Sequence, residues 1–347
     1  MKSQIRKINL IRLNQTKFGG AENYLLRLSK QMTESKFNHQ IINSSIPRFL
    51  PSWVRVMFFN MAVCFFKKDK FYFSLDRILC PDIYRAGDGV HKVFLSKLKK
   101  KSLNPLHQIY LFIERKCLRK AKCVIANSKM IKRQIIEAYD IEPEKIRVIY
   151  NGIEIKEINY EKSFANISKE FNINKSTTNI IFVGSGFERK GVKELLYIAS
   201  NINSNNIKVF VIGKEKNISL YQNLSRELGV QDKVIFTGPR EDVDDFYTIG
   251  DIFLFPTHYE PFSNVVLEAM NFENVVFTTA QNGASEILDK EFIMDHANDY
   301  SVSEKINNLL RNSEKLEFEK KKNRKKSIQF SIKRNLEETI EQIRSFL

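Results

Sequence analysis

Two carboxylates, Glu260 and Glu268, stand eight positions apart in the stretch HYEPFSNVVLEAM, residues 258–270. Val265, Leu267 and Ala269 around the second acid predict a helix beginning near Phe262 or Ser263. Glu260 then falls in the preceding loop and Glu268 about a turn and a half inside the helix. Such a start would present the backbone N–H groups of Ser263, Asn264 and Val265, donors that attract phosphate or pyrophosphate. Glu268 could accept hydrogen bonds from ribose hydroxyls. The same spacing also fits an acid favoured near a helix N-terminus by the macrodipole, followed by an ordinary glutamate one turn on.

A second cluster about seventy residues upstream, IIFVGSGFERKGVKELL at 180–196, runs an apolar strand into Gly184, Ser185 and Gly186 and then into Arg189 and Lys190. Glycines let a backbone approach a ligand closely, and adjacent guanidinium and ammonium groups can neutralise a diphosphate. Taken alone, the segment could equally be an exposed basic turn. It lacks G-x-G-x-x-G, and no G-K-[ST] occurs, so hydride transfer and P-loop hydrolysis lose ground. The pair Asp242 and Asp244 in REDVDDFY reads as acids opening a helix. His39, His107, His258 and His296 show no i, i+4 pairing, which argues against a zinc site.

Together with FGGAENYLLRL at 18–28, RAGDGVH at 85–91 and VIYNGIE at 148–154, these motifs resemble the retaining glycosyltransferases of family 4. Within that family the chain is most similar to the bacterial enzymes that glucosylate the lipopolysaccharide inner core, from residue 7 to the last helix. The resemblance implies an α/β fold of two Rossmann-like doubly wound domains facing across a cleft, the GT-B type, with a C-terminal helix crossing back to the first domain. It implies a nucleotide-sugar as co-substrate, with UDP-glucose or a similar hexose donor expected, and no cofactor or metal. The acceptor would be a lipopolysaccharide core or another lipid-linked glycan.

The same resemblance suggests roles. Arg189, Lys190 and the amides of Ser263, Asn264 and Val265 would hold the diphosphate. Gly19 and Gly20 would approach the donor phosphate from the other domain. Glu268 would hold the ribose, Glu260 would contact the donor sugar, and Arg240 in FTGPRED would lie near the base. Asp88 matches a position where the core glucosyltransferases carry an acid and many relatives a His, with His91 as second candidate. Asp88 could orient the sugar or accept the acceptor's proton, unless the leaving phosphate takes that proton. In a G-D-G sequence it could also be only a turn residue. Relatives carry a further Arg near Ser185, and its absence here shifts the phosphate contacts onto Arg189 and Lys190.

A chain of 347 residues exceeds what one core usually supports, and the composition shifts along it. Residues 1–150 hold 30 Lys and Arg against 11 Asp and Glu, a net of +19, and the remainder carries −3, for +16 over the whole chain. A basic first half fits an anionic membrane surface, a phosphorylated substrate or nucleic acid. No nucleic-acid recognition motif accompanies the charge. Competing readings are transfer to a soluble or polyprenyl-linked glycan, and a basic membrane- or nucleic-acid-binding module with a vestigial sugar-nucleotide site. Four cysteines without C-x-x-C spacing suit buried, reduced thiols, and the N-terminus lacks a secretion signal. The expected location is the cytoplasm, peripheral on the inner face of the cytoplasmic membrane.

The elements that must position these residues read as two βα series. KINLIRL, HQIINSS, RILCPDIYRA, KCVIANS and IRVIYNG are the strands of the first, and NIIFVG, IKVFVIG, KVIFTG, IFLFPT and NVVFTTA those of the second. The alternation predicts mostly parallel sheets. The expected boundaries are 1–152, a polar linker at 153–178, 179–330, and a returning helix at 331–347. Both motif loops follow strands, so they should converge at the carboxyl edge of one sheet. The aromatic, basic segment 47–73, with the lysine run 97–101, fits either a bilayer-surface helix or a buried helix with a solvated end; it is too short to span a bilayer.

Overall fold

The structure is a computed structural model that describes residues 7–13, 20–47, 49–97, 105–204 and 206–347. The chain forms two compact units: Met1–Asn151 with Lys333–Leu347, and Gly152–Ile332.

In the first unit the strands are β1 (Ile8–Arg12), β2 (His39–Asn43), β3 (Phe71–Ser74), β4 (Ile83–Ala86), β5 (Cys123–Ala126) and β6 (Ile146–Val148). They pair in parallel in the order β2-β1-β3-β4-β5-β6. Helices α1 (Gly20–Glu34), α2 (Ser52–Phe65), α3 (His91–Lys97), α4 (Pro105–Lys120) and α5 (Lys129–Tyr139) join them. Strands covered on both faces carry continuous apolar runs rather than alternation, and β3, β4 and β5 are buried at every position. β3 is an addition to the expected strand set. Its three aromatics follow a lysine-rich turn and read in sequence as the tail of α2, yet the run supplies a central strand between β1 and β4.

Two further expectations are corrected here. Cys64 and Cys80 form a disulfide with Cα atoms 5.7 Å apart, joining the last turn of α2 to the loop before β4. Only Cys117 and Cys123 are buried free thiols, and burial pushes the Cys117 thiol up to about 12. RILCPDIYRA is a strand only from Ile83, because its first half is the loop that carries Cys80 and the buried Ile78.

The second unit contains β7 (Thr178–Val183), β8 (Ile207–Ile212), β9 (Val234–Gly238), β10 (Ile252–Phe255), β11 (Val275–Thr279) and the two-residue β12 (Ile293–Met294). Their parallel order, β12-β11-β10-β7-β8-β9, reverses direction between β7 and β10. That is a topological switch point, where open α/β sheets bind ligands beyond the strands' carboxyl ends. Its helices are α6 (Tyr160–Phe171), α7 (Phe187–Lys190), α8 (Val192–Ser200), α9 (Ile218–Glu227), α10 (Val243–Ile249), α11 (Asn264–Asn271), α12 (Val302–Leu310) and α13 (Ser313–Ser327).

The expected linker 153–178 carries a helix, α6, that belongs to the second unit. Asn159 caps α6 by accepting from the Lys162 amide, and Ile167 is fully buried. Phe171 meets Phe210 and Phe246 edge-on. A polar exterior hid an amphipathic helix of the second unit. The last helix, α14 (Ile332–Arg344), returns to the first unit: Asn335 donates to the Tyr150 carbonyl, and the hydroxyls of Thr339 and Tyr24 lie 3.0 Å apart. Among the described residues no helix is long and apolar enough to cross a membrane.

Candidate active site

The neighbouring strands β7 and β10 end side by side, and the two motif loops that leave them are hydrogen-bonded to each other. The Arg189 carbonyl accepts from the His258 amide at 2.9 Å and from the Thr257 hydroxyl at 3.1 Å. Gly191 makes this approach possible: with φ +80, a Cβ there would fall 1.8 Å from the Pro256 carbonyl oxygen. Gly184 serves another purpose, since a Cβ on it would meet Lys190 Cδ at 2.5 Å. The lysine stem lies across bare backbone.

The charged ends then converge. Arg189 donates to the Tyr259 carbonyl at 2.9 Å and to Glu260 Oε2, and Lys190 Nζ donates to that same carboxylate oxygen at 3.1 Å. The Lys190 ammonium also sits 5.0 Å from the centre of the Phe255 ring. Its side chain is only 14% exposed. Burial holds its pKa below the ordinary lysine value; Glu260 opposes that shift and the Arg189 charge reinforces it. Two cations against one carboxylate leave a net positive, partly desolvated spot, which suits a phosphate anion. Glu260 is held by its backbone, whose amide donates to Gln281 and whose carbonyl accepts from Gly283, each at 3.0 Å.

Glu268 lies on α11, half-buried, and accepts from the Tyr247 hydroxyl at 3.3 Å. Burial, and then the Glu268 charge, push the Tyr247 phenol well above its usual range, so it stays a donor. Sequence reasoning passed over Tyr247, which reads as one more core aromatic of α10. The helix starts where expected, with Ser263 at the cap position. One of its assigned donors is corrected, however. The Ser263 amide donates inward to Asn282 Oδ1 at 3.2 Å, and fully buried Asn282 also accepts from the Ala284 amide. Asn264, on the first turn, is exposed and Val265 half-buried.

Arg240 has a different employment from the one expected. Its guanidinium grips Asp242 at 2.8 and 2.7 Å and Glu170 of α6 at 2.7 and 2.9 Å, and it lies over the Phe246 ring. This bidentate pairing ties the loop after β9 to α6 and engages Nε and both terminal nitrogens of the guanidinium with carboxylates. Asp242 stands at the start of α10 without capping it, because its carboxylate serves Arg240. Among the described residues no group of three or more His, Cys, Asp or Glu could hold a metal.

Arg189 also borders a cavity of about 930 Å³, lined with it by Ser185, Glu188, Glu194 and Tyr221. Buried Glu194 sits 3.1 Å from His258 Nε2 and its hydrogen bond raises the imidazole pKa. His258 thus meets Glu194 through its side chain and the Arg189 carbonyl through its backbone amide. Sequence reasoning treated His258 only as one of several scattered histidines.

In the first unit, Asp88 is exposed at the tip of the turn between β4 and α3. His91 opens α3, with Nε2 3.0 Å from Nδ1 of His107. Burial, and then the Arg77 charge, lower its pKa to about 4, so it is neutral near pH 7. Gly20 is the first residue of α1; Gly19 lies outside the described residues.

The profile of glycosyl transferases group 1 matches residues 163–326, and that of glycosyltransferase family 4 matches residues 82–157. The lipopolysaccharide glucosyltransferase WaaG of Escherichia coli is 29% identical over 243 residues, covering 66% of this chain and 64% of that protein. The first curated relatives are matched over 45%, 64% and 52% of their own lengths. Among solved structures, WaaG aligns with a TM-score of 0.79 at 18% identity, over 96% of this chain and 98% of that one. Anabaena HepE, solved with UDP-glucose, aligns at 0.75 and 16% identity over 98% and 99%. Residues 163–326 and 82–157 thus match group 1 and family 4 glycosyltransferase domains, carried on two parallel-sheet units with the GT-B fold.

Proposed function

We propose that the chain is a retaining, metal-independent hexosyltransferase that takes its sugar from a nucleotide-sugar, UDP-glucose or a close analogue. The observation that carries this reading is the meeting of Arg189, Lys190 and Glu260 at the switch point of the second sheet, with Glu268 one helix turn further on. In the reaction the bond from the sugar's anomeric carbon to the diphosphate breaks and a bond to the acceptor oxygen forms on the same face. The acceptor's proton passes to a phosphate oxygen or to a carboxylate. Negative charge grows on the leaving diphosphate, and fixed cations there stabilise it without reorganising. Glu268, fixed by Tyr247, would hold the ribose and Glu260 the sugar hydroxyls; Asp88 and His91 are the first unit's candidates for orienting a reactant. HepE's solved complexes with UDP and UDP-glucose support a uridine donor.

The acceptor in this reading is a lipopolysaccharide core or other lipid-linked glycan at the inner face of the cytoplasmic membrane. Its support is the outer face of α2. Phe58, Met61 and Phe65 follow one another at helical spacing, 55%, 60% and 80% exposed, while Val56, Phe59 and Val63 fill the core behind them. Lys68 and Lys70 are exposed just beyond. An exposed apolar row beside lysines suits an anionic bilayer, each basic residue adding about 1 kcal/mol. Calorimetry with UDP and UDP-hexoses tests the donor half of the reading: binding should be present in the wild type and nearly lost in Lys190→Ala and Glu268→Ala. Equal affinity in all three proteins would remove the proposed site.

A further inference from the structure

We infer that Arg77, Glu114 and Asn127 are positioning residues that hold the Gly87–His91 turn, and through it Asp88, in one place. The inference rests on the reading of Asp88 as a group that acts on the reactants. The turn is gripped from three separate elements. Asn127, just past β5 and 1% exposed, donates from Nδ2 to the Gly87 carbonyl at 3.0 Å. Arg77, between β3 and β4, donates from Nη2 to the Gly89 carbonyl at 2.8 Å and from Nε to Glu114 Oε1 at 2.7 Å. Glu114 on α4, 1% exposed, accepts the His91 amide at 2.8 Å through the same oxygen. Its other oxygen accepts the Lys92 amide at 3.3 Å and the Tyr139 hydroxyl.

The residues on both sides of Asp88 are therefore tied to buried polar atoms, while Asp88 itself faces out. Gly89, at φ +73, closes the turn by donating to the Ala86 carbonyl. A surface turn needs no such support. Taking an arginine and a glutamate out of water costs more than their attraction usually returns, so the arrangement is a poor means of stabilising a loop. It is a good means of fixing one side chain within a fraction of an ångström, which is what positioning of a reacting group demands.

The test is a double-mutant cycle on the full chain, following UDP release from UDP-glucose. Asp88→Asn should lower kcat about 10²-fold. Glu114→Gln retains one accepting oxygen but turns an amide NH₂ toward the Lys92 amide and the Tyr139 hydroxyl; it should lower kcat roughly 10-fold or more, with donor KM changed less than about threefold. The double variant should be no slower than Asp88→Asn alone, since the second loss acts through the first. Ile135→Ala, a cavity in the core under α5, should lower Tm yet keep kcat. If Glu114→Gln does not fold, Asn127→Ala runs the same cycle. Multiplied losses in the double variant, or an equal loss of kcat in Ile135→Ala, would show a merely structural role and overturn the inference. Full activity in Asp88→Asn would instead remove the reading of Asp88, and this inference with it.

Discussion

Replacing Lys190 with Met separates binding from stability. The methionine keeps an unbranched stem for the space over Gly184 and against the Phe255 ring, and it removes one of the two charges shared by Glu260. A hydrogen bond to a charged group contributes roughly 1.5–3 kcal/mol, so UDP should bind roughly 10- to 150-fold more weakly. Turnover should fall further, by roughly 10²- to 10³-fold, because the leaving diphosphate gains charge in the transition state. Folding should hardly suffer. Burial depresses the Lys190 pKa, which means that the charged lysine is held at a cost, and Glu260 retains Arg189 as a partner. Tm should therefore stay within about 3 °C of the wild type or rise. Titration calorimetry and thermal unfolding on the same preparations supply both numbers. A Lys190→Met protein that binds UDP within twofold of the wild type, or one that unfolds far earlier, would refute the reasoning.

Three further outcomes are expected. Gly191→Ala places a side chain at φ +80 and against the Pro256 carbonyl; strain of about 1–3 kcal/mol plus the clash should lower Tm and weaken UDP binding together, and an unchanged Tm would contradict the close approach. His91, lowered to about 4 from an unfolded value near 6.5, contributes stability that is fully present above pH 6.5 and lost as pH falls toward 4. His91→Gln should accordingly show a shallower Tm decline across that window, and an identical slope would oppose the assignment. Phe58→Ser with Phe65→Ser should abolish sedimentation with anionic liposomes while leaving UDP affinity unchanged; retained liposome binding would count against the α2 surface.

Most of the parallel-sheet architecture was legible in the sequence, because strands covered on both faces show as short apolar runs that need no partner to be recognised. β3 was not, since FYF follows a lysine-rich turn and looks like the end of a helix. α6 was hidden by a polar exterior, and its core contacts are made with residues some 40 to 80 positions away. At the site, the meeting of Arg189 and Lys190 with Glu260 followed from two loops that leave adjacent strands. The fate of individual donors did not follow. Asn282 takes the Ser263 amide and Glu170 takes Arg240, and both partners are distant in sequence and carry no motif. The Arg77–Glu114 pair was invisible for the same reason: each residue reads as one surface charge among many until the fold buries them together.

A crystal structure with UDP tests the account most directly. It should place the diphosphate within about 3 Å of Lys190 Nζ and the Arg189 guanidinium, with the ribose hydroxyls at Glu268. UDP bound elsewhere, with the Arg189–Glu260–Lys190 contacts unchanged, would contradict it.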